Sequence, residues 1–266
     1  MRLSFSYGMR SAFLAPASRH TFTLRIVPQD SMRQRILREC HTVEPTVPLA
    51  EGVDEFGNRT TEGYVPFEHT EFSICLSGEV ETRPYEGSPL AESAAVEWDG
   101  AWFRVPSEKT AAGPEIMALA DSVEGSGDPL STAFAAMDEL RSSFSYEKGA
   151  TSPRTTAEQA LSGGCGVCQD YAHILLALLR CKGIPCRYVV GMTVGEGESH
   201  AWTEVLSDGL WYGLDPTAGN AVDDRYVRIS GGRDFLDCQI NKGVFFGGPV
   251  ATQDVRVSVA EVTVIQ

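Results

Sequence analysis

The sequence has little positive charge, and this deficit excludes one class of partner. It carries 36 acidic side chains against 22 basic ones, so the formal net charge at pH 7 is −14. Only four of the basic residues are lysines. A surface that binds phosphates needs the opposite balance. We therefore expect no nucleic acid partner.

Long apolar runs are also missing. The longest candidate, residues 174–179, is far shorter than the roughly 18 apolar residues of a membrane-spanning helix. The apolar stretch at the N-terminus is broken by Ser4, Ser6 and Arg10, unlike the central region of a signal peptide. We therefore expect no membrane partner and a cytoplasmic location.

Cysteines are too few and too scattered for a small scaffold held together by disulfides. The chain has seven of them in 266 residues, an odd number. This usage is typical of reduced thiols rather than of a secreted framework. With 42% apolar residues, the chain is long enough to bury a core without such bonds.

The first hundred residues predict strands. Apolar side chains alternate with polar ones in three stretches, residues 3–9, 22–26 and 72–76. A period of two buries one face of a sheet. We expect an antiparallel β sandwich or barrel-like domain over residues 1–105, and a second domain over 106–266, because Pro106, Gly113 and Pro114 indicate a linker.

Helical patterns begin after this linker. Asp128 with Pro129 predicts the start of one helix, and Thr155 with Glu158 has the form of a capping box that opens another. A third helix is expected from about Cys168 to Lys182, where Gly183 follows. Strands return afterwards, and the turn at residues 207–209 predicts a hairpin.

Cys168 lies where the third helix begins, and that position suits a nucleophile. Free backbone N–H groups and the positive end of the helix dipole favour a thiolate there. The same N–H groups, that of Cys168 among them, would bind a substrate oxyanion. Gly166 lets the backbone turn without crowding the sulfur. We expect Gly166, Val167 and Trp202 to line the substrate groove.

His200 and Asp215 complete a candidate triad. A thiol nucleophile needs a base, and His200 opens a predicted strand beside Trp202. Asp215 ends the neighbouring strand of the hairpin, from which its carboxylate would orient the imidazole.

Each of these residues alone also fits a structural role. Cys168 would pack as a small apolar side chain, His200 would be an ordinary strand residue and Asp215 would cap a turn. Their order and setting together favour the catalytic interpretation. His173, about 140° round the helix from Cys168, and Asp170, in the first helical turn, are expected to be structural.

Three segments resemble the motifs of the transglutaminase-like superfamily. They are "GVCQDYAHILLALLRCKGIPCRYVVG", "SHAWTEV" and "WYGLDPT". The likeness is to the bacterial branch related to cysteine peptidases, and it extends to "LRIVPQD", "DEFGN" and "GRDFLDCQINKGVFFGG". It implies an α+β fold in which the N-terminal β domain precedes a papain-like core, with the nucleophile helix packed on an antiparallel sheet.

The resemblance implies roles for the same three residues: Cys168 as nucleophile, His200 as general base and acid, and Asp215 as orienter. Tyr146 is a candidate side chain for the oxyanion hole, although a strand tyrosine is more often part of the core. Two features depart from the family pattern. Gln239 and Ile240 stand where relatives commonly carry prolines, and Cys165 is a second cysteine beside the nucleophile.

The spacing of the cysteines suggests two other uses. A zinc site built from Cys165, Cys168, Cys181 and Cys186 fails, because the helix separates its ends by roughly 21 Å. A reversible disulfide between Cys165 and Cys168 stays open as a regulatory device. We expect no metal and no cofactor.

The sequence thus predicts acyl transfer through a thioester. The substrate would be a peptide, a protein or a small amide, and water is the favoured acceptor because no acidic cluster resembles the calcium sites of animal transglutaminases. A transglutaminase with an amine acceptor and a non-catalytic binding module are the alternatives.

Overall fold

The fold is α+β, with two antiparallel sheets and a group of helices. The computed structural model describes residues 1–83, 97–125 and 127–262. The first part of the chain forms β1 (Arg2–Leu24), β2 (Gln34–Glu44), β3 (Leu49–Val53), β4 (Arg59–Val65) and β5 (His69–Thr82). The helices are α1 (Glu97–Trp102), α2 (Pro114–Ser122), α3 (Pro129–Ser143), α4 (Ala157–Gly163) and α5 (Cys168–Cys181), with a 3-10 turn at Glu108–Thr110.

The remaining strands differ in length and belong to three sheets. They are β6 (Ser145–Tyr146), β7 (Cys165–Gly166), β8 (Cys186–Thr193), β9 (Gly195–Gly197), β10 (His200–Ser207), β11 (Leu210–Asp215), β12 (Asn220–Ala221), β13 (Tyr226–Gly232), β14 (Asn241–Gly247) and β15 (Val250–Glu261). The short pair β6–β7 is parallel, and the two larger sheets are antiparallel.

The first sheet is organised around β1. The initial part of β1 pairs with β5 on one side and β15 on the other, and its final part pairs with β4 and β14. The predicted alternation is confirmed, because Leu3, Phe5, Tyr7 and Met9 are all buried on one face. The strands from the end of the chain therefore belong to the sheet that its beginning forms, while the boundary near residue 105 stays a prediction.

The second sheet, in the order β12-β11-β10-β8-β13, carries α5 on one face. From Tyr171 to Arg180 every residue of α5 is buried, so this helix lies at the centre of the second core. The predicted hairpin is present: Ser207 pairs with Leu210, and Asp208 and Gly209 take the positive φ angles that such a tight turn needs.

The helices begin where their capping residues predict, with one exception. The Asp128 side chain accepts a hydrogen bond from the Ser131 N–H, as expected for a cap. The capping box of α4 uses Thr156 and Gln159, one residue later than predicted. Glu158 instead accepts hydrogen bonds from three N–H groups at the start of α2, those of Gly113, Glu115 and Ile116. A contact between helices therefore decides the role of Glu158.

The two cores meet along β13. Met192, Val227 and Ile229, from the second sheet, pack among the buried residues of the first. Asn58 exchanges two hydrogen bonds with the backbone of Gly231 (2.8 and 2.9 Å). Gln34 makes the same kind of paired contact with the backbone of Arg228 (2.8 and 2.9 Å). These carboxamides satisfy strand groups that would otherwise be buried without partners.

In the described ranges, every helix is too short or too polar to cross a membrane.

Candidate active site

Cys168 is the first residue of α5. Its predecessor Val167 is extended (φ −113°), and the Val167 N–H donates to the Asp170 carboxylate at 2.8 Å. The Thr151 hydroxyl donates to the same carboxylate at 2.6 Å. Because Cys168 lies in the first turn, its N–H has no intrahelical acceptor and is available to a ligand. Asp170 thus holds the turn, in agreement with its predicted structural role.

His200 is the first residue of β10. Its strand partner is Gly191, and the short strand β9, three residues before it, pairs with β15 of the first sheet. The imidazole is mostly buried, with 17% of the side chain exposed. Its Nε2 lies 2.6 Å from Oδ2 of Asp215. This bond leaves Nδ1 as the ring nitrogen that can face the Cys168 thiol.

Asp215 ends β11 and is held by four hydrogen bonds. Besides the contact with His200, its Oδ1 accepts from the backbone N–H groups of Thr217 (2.9 Å) and Ala218 (3.1 Å). Oδ2 also accepts from the Tyr226 hydroxyl at 2.8 Å. No sequence motif singles out Tyr226, because it stands on β13, an edge strand whose nearness to Asp215 depends on the sheet order.

The electrostatics of this group favour a charged imidazole. Burial opposes protonation of His200 and is the largest single influence on it. The hydrogen bonds and charges of Asp215 and Cys168 together outweigh that penalty, and they raise the pKa of His200 to about 10. Burial also opposes the charge on Asp215. The contact with His200 and the hydrogen bonds from the other donors together outweigh burial and lower the pKa of this carboxyl. At neutral pH the ring therefore carries two protons, one facing Asp215 and the other facing the thiol.

The thiol lies between two adjoining cavities. The first, of about 260 Å³, extends toward the first sheet; we call it the sheet-side cavity, and besides Cys168 and His200 its walls include Tyr7, Met9, Val167, Gln169, Tyr188, Val190, Phe235, Gln239, Ile240, Asn241, Gln253 and Val255. The second, of about 200 Å³, is the tyrosine-side cavity, bounded by Tyr146, Lys148 and β9. Glu198 and Ser199 border both. A substrate can therefore extend from the thiol in two directions.

Tyr146 shares the tyrosine-side cavity with Cys168 and His200. Tyr146 pairs with Gly166 in the short parallel sheet of β6 and β7. It is 49% exposed and is therefore not part of the core. Burial raises the pKa of Tyr146, and the nearby Cys168 charge raises it further. The phenol is therefore a neutral donor close to the sulfur.

The three predicted groove residues have different positions. Val167 lines the sheet-side cavity. Gly166 is buried behind it, where a Cβ atom would come within 2.4 Å of the Asp170 carboxylate. Trp202 is fully buried and borders neither cavity: it packs with Tyr226, and its ring centroid is 6.4 Å from that of His200. Trp202 thus supports the imidazole from the interior, and its predicted place in the groove is wrong.

His173 is structural, as predicted. It is fully buried in α5, and its Nε2 accepts the Phe235 N–H at 3.1 Å. Burial lowers the pKa of His173 to about 3. The ring thereby fixes the segment that leads to Gln239 and Ile240, which line the sheet-side cavity. Sequence reasoning noted these two residues only as departures from the family pattern.

The other cysteines differ in their surroundings. Cys186 is fully buried and Cys181 is exposed at the far end of α5. Burial, followed by a hydrogen bond with Glu147, raises the pKa of Cys165. All seven cysteines are free thiols, so a bond between Cys165 and Cys168 stays a prediction. Within the described ranges, no group of three or more His, Cys, Asp or Glu side chains is placed to hold a metal ion.

Comparison with known proteins gives two matches to family models. The model of the bacterial transglutaminase-like N-terminal region matches residues 4–81. The model of the transglutaminase-like superfamily core matches residues 117–216, which include the candidate triad. Together the two models cover more than half of the chain.

Two relatives align with most of this chain and with most of their own length. A protein of Mycobacterium leprae, described as uncharacterized, is 29% identical over 97% of this chain and 98% of its own. An uncharacterized protein of Mycobacterium tuberculosis is 27% identical over 83% of this chain and 80% of its own. Among solved structures, a "Putative Cysteine Protease" from Cytophaga hutchinsonii superposes over 100% of this chain and 93% of its own, with a TM-score of 0.78 and 22% identity. The fold is thus shared over the whole chain, and the two matched models show that the protein belongs to the transglutaminase-like superfamily, with the N-terminal region of its bacterial members.

Proposed function

We propose that the protein is a cysteine peptidase or amidase, in which Cys168, His200 and Asp215 form the catalytic triad. Membership of the superfamily supports thiol-dependent acyl transfer in general. The observation that carries the finer assignment is the 2.6 Å bond between His200 Nε2 and Asp215 Oδ2, which orients the ring with Nδ1 toward the cavity it shares with Cys168.

The proposed reaction has two halves. The Cys168 thiolate attacks the carbonyl carbon of an amide, and the resulting oxyanion is stabilised by the Cys168 N–H and the Tyr146 hydroxyl. Collapse of the tetrahedral intermediate breaks the C–N bond, and protonated His200 transfers its proton to the departing amine. Water then gives a proton to neutral His200 as it attacks the thioester, which releases a carboxylic acid and restores the Cys168 thiolate beside protonated His200.

The substrate class follows from the two cavities. An amide bond positioned at Cys168 has an acyl side and an amine side, and the sheet-side and tyrosine-side cavities can hold one each. A peptide, a protein segment or a small amide with groups on both sides of the scissile bond meets this requirement. We propose substrates of this class.

Water is the acceptor that we propose, and an added amine tests it. A panel of peptides and amides is incubated with the wild type and with Cys168→Ser, with and without a primary amine, and products are identified by mass spectrometry. Hydrolysis gives a carboxylic acid whether or not the amine is present. If the products form only with the amine and carry it, the protein is a transglutaminase and the hydrolytic assignment is wrong.

Thiol reactivity tests the alternative of a non-catalytic module with the same fold. We expect iodoacetamide near pH 6 to label Cys168 at least tenfold faster than the other six cysteines, because an imidazolium beside the sulfur favours its thiolate. His200→Ala should remove most of that advantage. Equal labelling of all seven cysteines in the wild type would contradict the catalytic proposal.

A cytoplasmic location is part of the proposal. It is supported by the seven free thiols, which suit a reducing compartment.

A further inference from the structure

The first sheet does more than flank the catalytic core, since it forms one wall of the sheet-side cavity. Tyr7 and Met9 of β1 reach this wall, together with Gln253 and Val255 of β15 and Asn241 of β14. The register explains the grouping: Met9 pairs with Val255 and Ser11 with Gln253, so side chains of one face stand side by side. Residues more than 150 positions away from Tyr7 in sequence therefore meet it across from the thiol.

Two carboxamides on this wall lack good partners. The amide nitrogens of Asn241 and Gln253 both approach the Met9 sulfur, at 3.8 and 3.5 Å. A thioether is only a weak acceptor. The Asn241 Oδ1 atom is buried and has no hydrogen bond at all. Since an unpaired buried carbonyl costs free energy, it marks a place where a ligand N–H group would be bound favourably.

The rest of the wall is neutral. Tyr7 is 4% exposed, and burial raises the pKa of Tyr7, so its hydroxyl remains a protonated donor. Among the described residues that border the sheet-side cavity, none is lysine or arginine, and the charged His200 ring lies on the thiol side, across from this wall. Glu198 is the one carboxylate there, and it is exposed and paired with Lys148 at 3.3 Å. A charged group that entered would lose hydration without gaining a counter-ion on this wall.

We infer that Tyr7, Asn241 and Gln253 form a specificity subsite of the enzyme, which binds an uncharged group of the substrate carrying N–H donors, such as a peptide or carboxamide group. The inference rests on the proposed function, because the subsite is defined by its position in the cavity that Cys168 also lines. It assigns to the N-terminal sheet a role in substrate selection.

Alkylating probes test the subsite without knowledge of the natural substrate. Four reagents of the form iodoacetyl-NH-R differ only in R, which ends in a carboxamide, an isobutyl, an ammonium or a carboxylate group. In each case the Cys168 thiolate displaces iodide and forms a C–S bond. The second-order rate at Cys168 is measured by peptide mass spectrometry and divided by that of iodoacetamide in the same variant.

We expect the carboxamide reagent to react at least tenfold faster than the isobutyl reagent in the wild type, and both charged reagents to be slower than the carboxamide one. Asn241→Leu should abolish the preference for the carboxamide over the isobutyl reagent. Gln253→Glu, at an exposed position where misfolding is not expected, should raise the relative rate of the ammonium reagent about tenfold. Thr252→Glu is the matched control, because it adds the same charge on the opposite face of β15 and should change no ratio.

The outcomes separate this inference from the proposed function. Slow labelling of Cys168 by all reagents, iodoacetamide included, would overturn both. Fast labelling with equal relative rates for the four reagents would overturn the subsite alone. A relative gain for the ammonium reagent that is as large in Thr252→Glu as in Gln253→Glu would also overturn it, since the effect would then be one of overall charge.

Discussion

At the scale of single residues, the protonation of His200 depends on Asp215. The carboxylate is 2% exposed and is held by two backbone N–H groups and a tyrosine hydroxyl, so its position cannot adapt. A fixed negative charge at 2.6 Å is what keeps the neighbouring ring charged against the cost of burial.

Asp215→Asn should therefore lower the pKa of His200. The wild-type ring is expected to lose its proton near pH 10, and loss of the carboxylate removes the strongest influence that raises this value. We expect the midpoint to fall by at least about one unit, since a buried charge partner shifts a pKa by about 1–3 units. Side-chain nitrogen NMR of the histidines measures it. Asp138→Asn, on the exposed face of α3, is the control and should leave the midpoint unchanged; an unchanged midpoint in Asp215→Asn would contradict the assignment.

A second pair of residues gives the protein an acid-sensitive point far from the thiol. His20 and His69 are buried in the first sheet, stacked at 5.4 Å, with His20 Nδ1 3.2 Å from His69 Nε2. His69 Nδ1 donates to the Phe67 carbonyl at 3.2 Å, so the pair is tied to the backbone beside it. Burial, followed by the charge of His69, lowers the pKa of His20 to about 4.

This shift predicts a loss of stability on acidification. The folded state keeps His20 neutral while the unfolded chain protonates it near pH 6.5, so the unfolded state binds more protons below that pH and stability falls as the pH decreases. From pH 7.5 to 5 the shift corresponds to about 2 kcal/mol. Urea unfolding should show a loss smaller by about this amount in His20→Phe. Phe72→Leu, which alters the same aromatic surroundings without a titratable group, should lower stability equally at both pH values.

At the scale of secondary-structure elements, α4 and α2 are joined by one carboxylate. The three N–H groups that Glu158 accepts are those which a helix start leaves without partners, and α2 has no side-chain cap of its own. The charge also lies at the positive end of the α2 dipole. Glu158 thus caps a helix that begins 44 residues before it.

Glu158→Gln should destabilise the protein by about 1–2 kcal/mol, because a neutral amide has one acceptor oxygen where the carboxylate has two. Thiol labelling of Cys168 should be unaffected, since Glu158 borders neither cavity. Urea unfolding measures the change, and Glu62→Gln, an exposed substitution of the same kind on β4, is the comparison. Equal stabilities of the two variants would contradict the capping role.

Elements whose signals are local were predictable. The alternation that begins at Leu3 reports a buried face directly, and α5 was expected over residues 168–182 and is found at Cys168–Cys181. The α4 start was misplaced by one residue because Thr155 and Thr156 both fit a capping pattern. Glu158 instead bonds to the start of α2, more than 40 residues away in sequence. A pattern within α4 alone does not reveal this contact.

At the scale of the whole molecule, the candidate triad was visible in the sequence but its surroundings were not. Cys168, His200 and Asp215 each lie at a helix or strand boundary that the sequence predicts. The sheet-side wall is different: Tyr7 and Gln253 are ordinary strand residues, and only the pairing of β1 with β15 gives them a common place. Contacts between residues so far apart in sequence produce no pattern of apolar residues in either segment.

The junction between the sheets predicts a single unfolding transition. Asn58→Asp replaces the amide that donates to the Gly231 carbonyl by an oxygen, beside the existing Asp54 contact. We expect a loss of about 3 kcal/mol, because a buried acceptor loses its partner and a charge is added. Tryptophan fluorescence and circular dichroism should report the same midpoint. Thr70→Asp, exposed on β5, is the control, and two separate transitions in the wild type would contradict a shared junction.

The position of β15 between β1 and β9 also sets an order of events during synthesis. By the time Asp215 has left the ribosome, all three reactive groups of the proposed triad exist, yet the strand that supports the segment before His200 has not been made. The groove gains its far side only with the arrival of residues 250–261, which lie against the first strand of the chain. The proposed substrate cavity is therefore incomplete until β15, which carries Gln253 and Val255, has joined the first sheet.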